Sequence, residues 1–271
     1  RLGDGPDRGF QPQPGADRHH PGDACGAGAI DQRRQLAGVG ARTQRLGERI
    51  QIGRLLELLA QRRLHDRPRR AARTGDADRI VAAEVGAELI SSTLVAEGGG
   101  FHVDGEGTVL LTDTVQLDPR RNPYADRARV EAEFARTLGT TTAIWLPRGL
   151  TRDYDDFGTN GHVDIVATFP SPGRVLLHTQ RDAAHPDHAV SAALRELLTD
   201  HTDAAGRRLE IVELPAPATL RDDEGFVDWS YVNHLVVNGG VIACGFGEDR
   251  ADAEARMILA DAYPGREIVT V

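Results

Sequence analysis

The chain has 271 residues, room for one large domain or two modest ones, and a formal charge of −9. No apolar run is long enough to cross a bilayer, and two cysteines, Cys25 and Cys244, are too few for a disulfide scaffold or a cysteine zinc site. The acidic balance disfavours nucleic acid and suits a small cationic partner through steering, so no nucleic-acid or membrane partner is expected.

The first 73 residues are unlike the rest. All 32 basic residues are arginine, and residues 1–73 carry 15 of them against 8 acids, a net of +7, while residues 74–271 carry −16. Phe10 is the one aromatic of the first stretch; twelve follow, including Trp145 and Trp229. Few large side chains mean little surface to bury, so residues 1–73 read as a poorly packed or disordered lead-in. Leu46, Ile50, Leu55, Leu56, Leu58, Leu59 and Leu64 predict one local helix, from about Gln44 to His65. Without interleaved aromatics the arginines do not make a stacking arm for nucleic acid. The chain opens on Arg1 rather than Met, as a fragment or processed product would, and a cytoplasmic location is the expectation.

From Asp76 an α/β alternation begins. The pattern predicts a helix over Asp76–Glu88, a strand at Ser92–Ala96, a Gly-rich corner, and short strands at Val109–Leu111 and Thr114–Leu117. Asn122 with Pro123 reads as a helix start, Val130, Phe134 and Leu138 as its buried stripe, and Gly139 as its stop. A strand at Ala143–Leu146 follows. Val163–Phe169 and Arg174–His178 read as a hairpin turning at Pro172-Gly173, and Pro186–Thr199 as a helix. Strands are expected at Leu209–Leu214, Val232–Val237 and Val241–Ala243, with a turn at Asn238-Gly239-Gly240. A helix over Ala251–Tyr263 and a strand at Ile268–Val271 close the series. Strand pairs followed by one helix recur, which predicts a repeat architecture.

The tripeptide His-Val-Asp occurs twice, at His102–Asp104 and His162–Asp164. On a strand, residues two apart share a face, so each copy would present a base and a carboxylate together. His162 and Asp164 follow a loop rich in acids and glycine (Asp153, Asp155, Asp156, Gly158, Gly161) and weigh evenly as a functional or a packing pair. His102 and Asp104, followed by Gly105-Glu106-Gly107, read as a polar hairpin tip. Their sequence separation gives no metal-ligand spacing, so no metal site is expected. His185-Pro186-Asp187-His188 reads as a helix start in which Asp187 satisfies free N–H groups. Glu97 precedes three glycines at an expected strand end, and Cys244 reads as a buried inert thiol. The Gly98-Gly99-Gly100 run leads into a strand, so the phosphate-cradle logic of a nucleotide fingerprint fails.

The block Glu97-Gly98-Gly99-Gly100-Phe101-His102-Val103-Asp104-Gly105-Glu106-Gly107 resembles a hallmark of the agmatine deiminase family, relatives of bacterial-type peptidyl-arginine deiminases in the guanidine-modifying pentein superfamily. Leu117–Pro123, Ile144–Leu150, Gly161–Asp164, Ser230–Asn233, Asn238–Ile242 and Phe246–Glu267 extend the resemblance in order over about Asp76–Val271. It implies a pseudo-symmetric α/β propeller of ββαβ units, incomplete in this chain. It also implies cofactor-free and metal-free hydrolysis of a small cationic guanidino substrate, agmatine, to N-carbamoylputrescine and ammonia, on the route to putrescine. In such enzymes a Cys thiolate attacks the guanidinium carbon. By position, His162 would be the general acid/base, Glu97 would orient it or hold the cationic centre, Asp164 would clamp the guanidinium, and Asn233 would line the pocket. Relatives are commonly homo-oligomers.

Two features depart from the family pattern. Its Gly-rich segment ending His-Cys and its tryptophan-bearing N-terminal segment have no counterpart here, which predicts a catalytically incompetent chain of enzymatic lineage. The composition of residues 1–73 matches GC-rich coding DNA read out of frame, with a divergent extension as the alternative. Competing functions are a peptidyl- or free-arginine deiminase, and a catalytically dead guanidino-binding protein.

Overall fold

Among the described residues, three copies of one supersecondary unit make up most of the structure. The computed structural model describes residues 76–271, all within one compact unit that spans Ala60–Val271. The expected helix over Gln44–His65 and the expected division after residue 73 lie outside the described residues. Helix α1 (Asp76–Val85) comes first, ending before the predicted Glu88 at Gly86, whose φ is +66°. Residues 92–96 form no strand, contrary to expectation, because Asn122 claims the backbone there: its side chain accepts from the Val95 N–H and donates to the Val95 carbonyl.

In the first unit β1 (Phe101–Val103) pairs antiparallel with β2 (Thr108–Thr112). The short helix α2 (Asp113–Gln116) and the helix α3 (Arg127–Leu138) follow, and β3 (Thr142–Leu146) returns parallel to β2. The β-branched run from Thr114 therefore folds as a helical turn, not the predicted strand: Val115 is fully buried and packs toward Gly100, a tertiary contact that overrides strand propensity. Helix α3 starts at Arg127, not at Pro123, since the buried Asn122 amide is already spent on Val95 and Gln116. Asp126 caps it instead, accepting from the Arg129 N–H at 2.8 Å. Val130 and Phe134 are buried as predicted, whereas Leu138 is exposed.

The second unit repeats the plan. Strand β4 (Ala167–Ser171) and β5 (Arg174–Thr179) form the predicted hairpin, helix α4 (Asp187–Thr199) crosses over, and β6 (Glu210–Pro215) pairs parallel with β5. Asp187 does not cap α4 as expected. Its carboxylate reaches away to the Thr151 N–H and hydroxyl, while the Asp187 N–H donates to His185 Nδ1.

A small hairpin, β7 (Arg221–Asp222) and β8 (Gly225–Phe226), was too short to show any alternation in sequence. Arg152 holds it with 2.6 Å contacts to both Asp222 and Glu224.

The third unit comprises β9 (His234–Val237), β10 (Gly240–Ala243), helix α5 (Asp249–Ala262) and β11 (Glu267–Thr270), again antiparallel then parallel.

The second strand of each unit is the middle strand of its sheet, and β2 and the centre of β5 are buried on both faces. Along β2, Val109 and Leu111 enter one cluster with Val130, Phe134 and Trp145, while Leu110 points into another formed mainly by the second unit. Along β5 the same alternation sends Val175 and Leu177 one way and Leu176 into the third unit's cluster. Successive units thus interlock, Leu110 entering the second unit's cluster beside Ile144 and Leu146, and Leu176 the third unit's beside Leu214. Among the described residues no helix is long and apolar enough to cross a membrane.

Candidate active site

Two irregular segments meet beside β2: the turn Gly98–Gly100 and the turn Val163–Ile165, each one helical turn of three residues. The predicted strand through Val163 does not form, so His162 and Asp164 do not share a strand face. The cause is Asp153. Its buried carboxylate accepts from the Thr159, Gly161 and His162 N–H groups and the Thr159 hydroxyl, all within 2.6–2.9 Å, so the backbone leading into Val163 is unavailable to a ladder. Gly161, at φ +101°, completes the bend; a side chain there would strike the hydroxyls of Tyr154 and Thr114. Its carbonyl accepts from Thr112 Oγ1 at 2.7 Å, pinning the loop to the end of β2.

The bend delivers His162 to Glu97, with Nε2 and Oε2 2.5 Å apart. The Nδ1 atom on the other side of the ring lies 4.0 Å from Asp164 Oδ1. Gly99 makes this possible, because a Cβ there would fall 2.5 Å from His162 Nδ1 and collide with the Asp164 carboxylate. Gln116 fixes the glycine turn from below, donating to the Gly100 carbonyl at 2.9 Å.

The two carboxylates differ in environment. The Arg121 guanidinium hydrogen-bonded to Glu97 holds its carboxyl below the usual range, with His162 adding to the effect against partial burial. Glu97 is therefore an anion, so His162 Nε2–H donates to it, and Nδ1 faces Asp164. Burial pushes the Asp164 carboxyl up, with His162 opposing. A desolvated carboxylate with no paired arginine among the described residues, next to an imidazole nitrogen, is a receptor for a cation that also exchanges protons.

Of the four residues expected to form a site, Glu97, His162 and Asp164 converge. Asn233 is exposed ahead of β9; its carbonyl accepts from the Cys244 thiol at 3.5 Å, and among the described residues its side chain makes no hydrogen bond to the other three. Cys244 is half-buried rather than fully enclosed, and burial pushes its thiol up. His102 is structural, its ring bonded to Thr168 Oγ1 at 2.7 Å and to the Phe169 N–H. Asp104 closes the hairpin tip by accepting from the Glu106 and Thr108 N–H groups. Among the described residues no three His, Cys, Asp or Glu side chains gather to hold a metal. Sequence reasoning gave no role to Arg121 or Asp118; the one signal was their place in the Leu117–Pro123 block.

Residues 67–271 match the family model described as Porphyromonas-type peptidyl-arginine deiminase. A Streptomyces coelicolor protein with a provisional agmatine deiminase name is 57% identical over 194 residues, which are 71% of this chain and 57% of that protein. Agmatine deiminase of Pseudomonas putida is 40% identical over 195 residues, 65% of this chain and 52% of that protein. In structure, the agmatine deiminase of Enterococcus faecalis superposes with a TM-score of 0.64 at 31% identity, covering 71% of this chain and 56% of that one. The chain spans about half the length of the curated relatives it matches. With the family match covering most of its residues and the ββαβ units those of a solved relative, the chain belongs to the Porphyromonas-type peptidyl-arginine deiminase family.

Proposed function

We propose that these residues are the guanidinium-handling part of a deiminase that hydrolyses agmatine to N-carbamoylputrescine and ammonia. The convergence of Glu97, His162 and Asp164 beside Gly99 carries the reading. The agmatine deiminase names of the relatives support the choice of substrate.

Asp164 takes the N–H pair of the planar guanidinium, charge against charge. A Cys thiolate from outside the described residues forms a bond to the guanidinium carbon. His162, protonated at Nδ1, gives that proton to one substrate nitrogen; the C–N bond breaks and ammonia departs, leaving a thioether adduct. Neutral His162 next takes a proton from water as the water oxygen bonds to the same carbon. Collapse breaks the C–S bond, releases the remaining hydroxyl proton to solvent, returns the thiolate and leaves the ureido group. Glu97 holds the imidazole through Nε2 in both steps and stabilises its charged form. Asn233 lines the pocket farther out. The chemistry calls for no cofactor.

Ammonia release by a polypeptide that carries this segment and the nucleophile tests the proposal, with agmatine, arginine and a peptidyl-arginine each supplied. Turnover of agmatine is expected; ammonia release from arginine or the peptide, with none from agmatine, overturns the substrate assignment. For this chain alone a second reading has support, since Cys244 donates to Asn233 and has a raised pKa. A guanidino binder without turnover would release heat with agmatine in calorimetry and no ammonia.

A further inference from the structure

We infer that Arg121 is a positioning residue for this site, clamping Glu97 to the loop that carries His162. The inference rests on the Glu97–His162 pair having the role proposed above.

The guanidinium of Arg121 makes four contacts to three groups. Nε donates to Glu97 Oε1 at 3.0 Å and Nη2 lies 2.9 Å from Glu97 Oε2, a two-pronged grip on one carboxylate. Nη2 also donates to the Thr159 carbonyl at 2.7 Å, three residues before His162. Nη1 donates to Asp118 Oδ2 at 3.0 Å, and that same oxygen accepts from Asn160 Nδ2 at 3.2 Å. One planar cation thus touches the glycine-turn side of the site and Thr159 directly, and reaches Asn160 through Asp118.

The arrangement decides where the Glu97 carboxylate points. Glu97 follows no regular element and its side chain is 39% exposed, so its three torsions are free unless something holds them. Arg121, at 16% exposure, is the more enclosed partner and is tied at its far end. Oε2 is left shared between Arg121 and His162, in the orientation that accepts Nε2–H. A lysine would carry the charge but lacks the fork to reach Glu97, Asp118 and Thr159 together. The neighbouring Arg120 is a built-in contrast: among the described residues it bonds Asp118 alone, and its side chain is 75% exposed.

The test is proton NMR of the chain with ¹⁵N-labelled histidine, reading the hydrogen-bonded Nε2–H of His162. A short bond to a carboxylate gives a far-downfield, slowly exchanging line. In Glu97→Gln that line is expected to disappear. In Arg121→Gln it is expected to move upfield with solvent exchange about tenfold faster or more, in Arg121→Lys to fall between, and in Arg120→Gln to stay put. An unchanged line and exchange rate in Arg121→Gln, with the line lost in Glu97→Gln, sinks the positioning role while sparing the dyad. A line that also survives Glu97→Gln removes the dyad itself. If Arg121→Gln does not fold, Arg121→Lys decides: wild-type behaviour there overturns the inference. A merely structural arginine would lower the melting temperature and leave the proton where it was.

Discussion

Glu97 and His162, 65 positions apart in sequence, meet with Oε2 2.5 Å from Nε2. Neither residue lies in a strand or a long helix; each is held by a side chain from elsewhere, Arg121 for the acid and Asp153 for the histidine loop.

Breaking this pair is expected to slow turnover more than it weakens binding. In a polypeptide carrying the nucleophile, His162→Ala should lower kcat by about 10²–10⁴, the usual range for a lost general acid/base. Glu97→Gln should lower it by a smaller factor. Steady-state kinetics on agmatine measure both, and an undiminished kcat in His162→Ala would remove the histidine from the chemistry.

Asp164→Asn should act on affinity instead. Loss of one charge-assisted contact is expected to weaken agmatine binding by about 10- to 100-fold. Because burial raises the Asp164 pKa, wild-type affinity should fall on acidification at a pH above the ordinary Asp value, as the carboxylate protonates and stops attracting the cation. Calorimetric titration across that range should show the fall in the wild type and a flat profile in Asp164→Asn.

The glycine run offers a matched pair. Gly98 has open space where a Cβ would stand, whereas a Cβ on Gly99 would press on His162 and Asp164. Gly98→Ala should bind agmatine like the wild type; Gly99→Ala should bind it at least about tenfold more weakly. Equal affinities would mean that the two side chains do not meet over Gly99.

Acid stability follows from buried imidazoles. Burial, then the charge of His185, pushes His178 down to about 4; burial, then His234, pushes His102 down to about 4. Both stay neutral when folded while the unfolded chain takes up protons near pH 6.5, so stability is intact above that value and is lost progressively toward pH 4. His178, fully enclosed against Ser230, contributes about 3 kcal/mol to the loss as an upper bound. Below that window Asp118, held at about 2 by its hydrogen bond from Arg120, adds a second loss as pH falls from its unfolded value toward 2. Thermal melts of wild type and His178→Gln should diverge between these limits, with the wild type falling more steeply.

The repeat could be read from periodicity because each unit sets a helix of 3.6-residue period between strands of continuous apolar character. Sequence reasoning failed where a side chain captures backbone. Asn122 holds Val95, which erases an expected strand and moves a helix start; Asp153 binds three N–H groups, which replaces the strand through Val163 with a turn. His162 and Asp164 were found by assuming a strand that does not exist, and they meet nonetheless because the turn brings them together. Arg121 could not be found by pattern, since its importance lies in reaching Glu97 and Thr159, at 24 and 38 positions' distance.

Leu110 and Leu176 each belong to one sheet by hydrogen bonding and to the next unit's interior by packing. Neither sheet can melt without opening its neighbour, so stepwise unravelling along the series is disfavoured. Shortening either leucine to alanine should cost about 2–5 kcal/mol and lower one shared calorimetric peak instead of splitting it. The geometry of Glu97, His162 and Asp164 is therefore coupled to side chains of the third unit through Leu110 and Leu176.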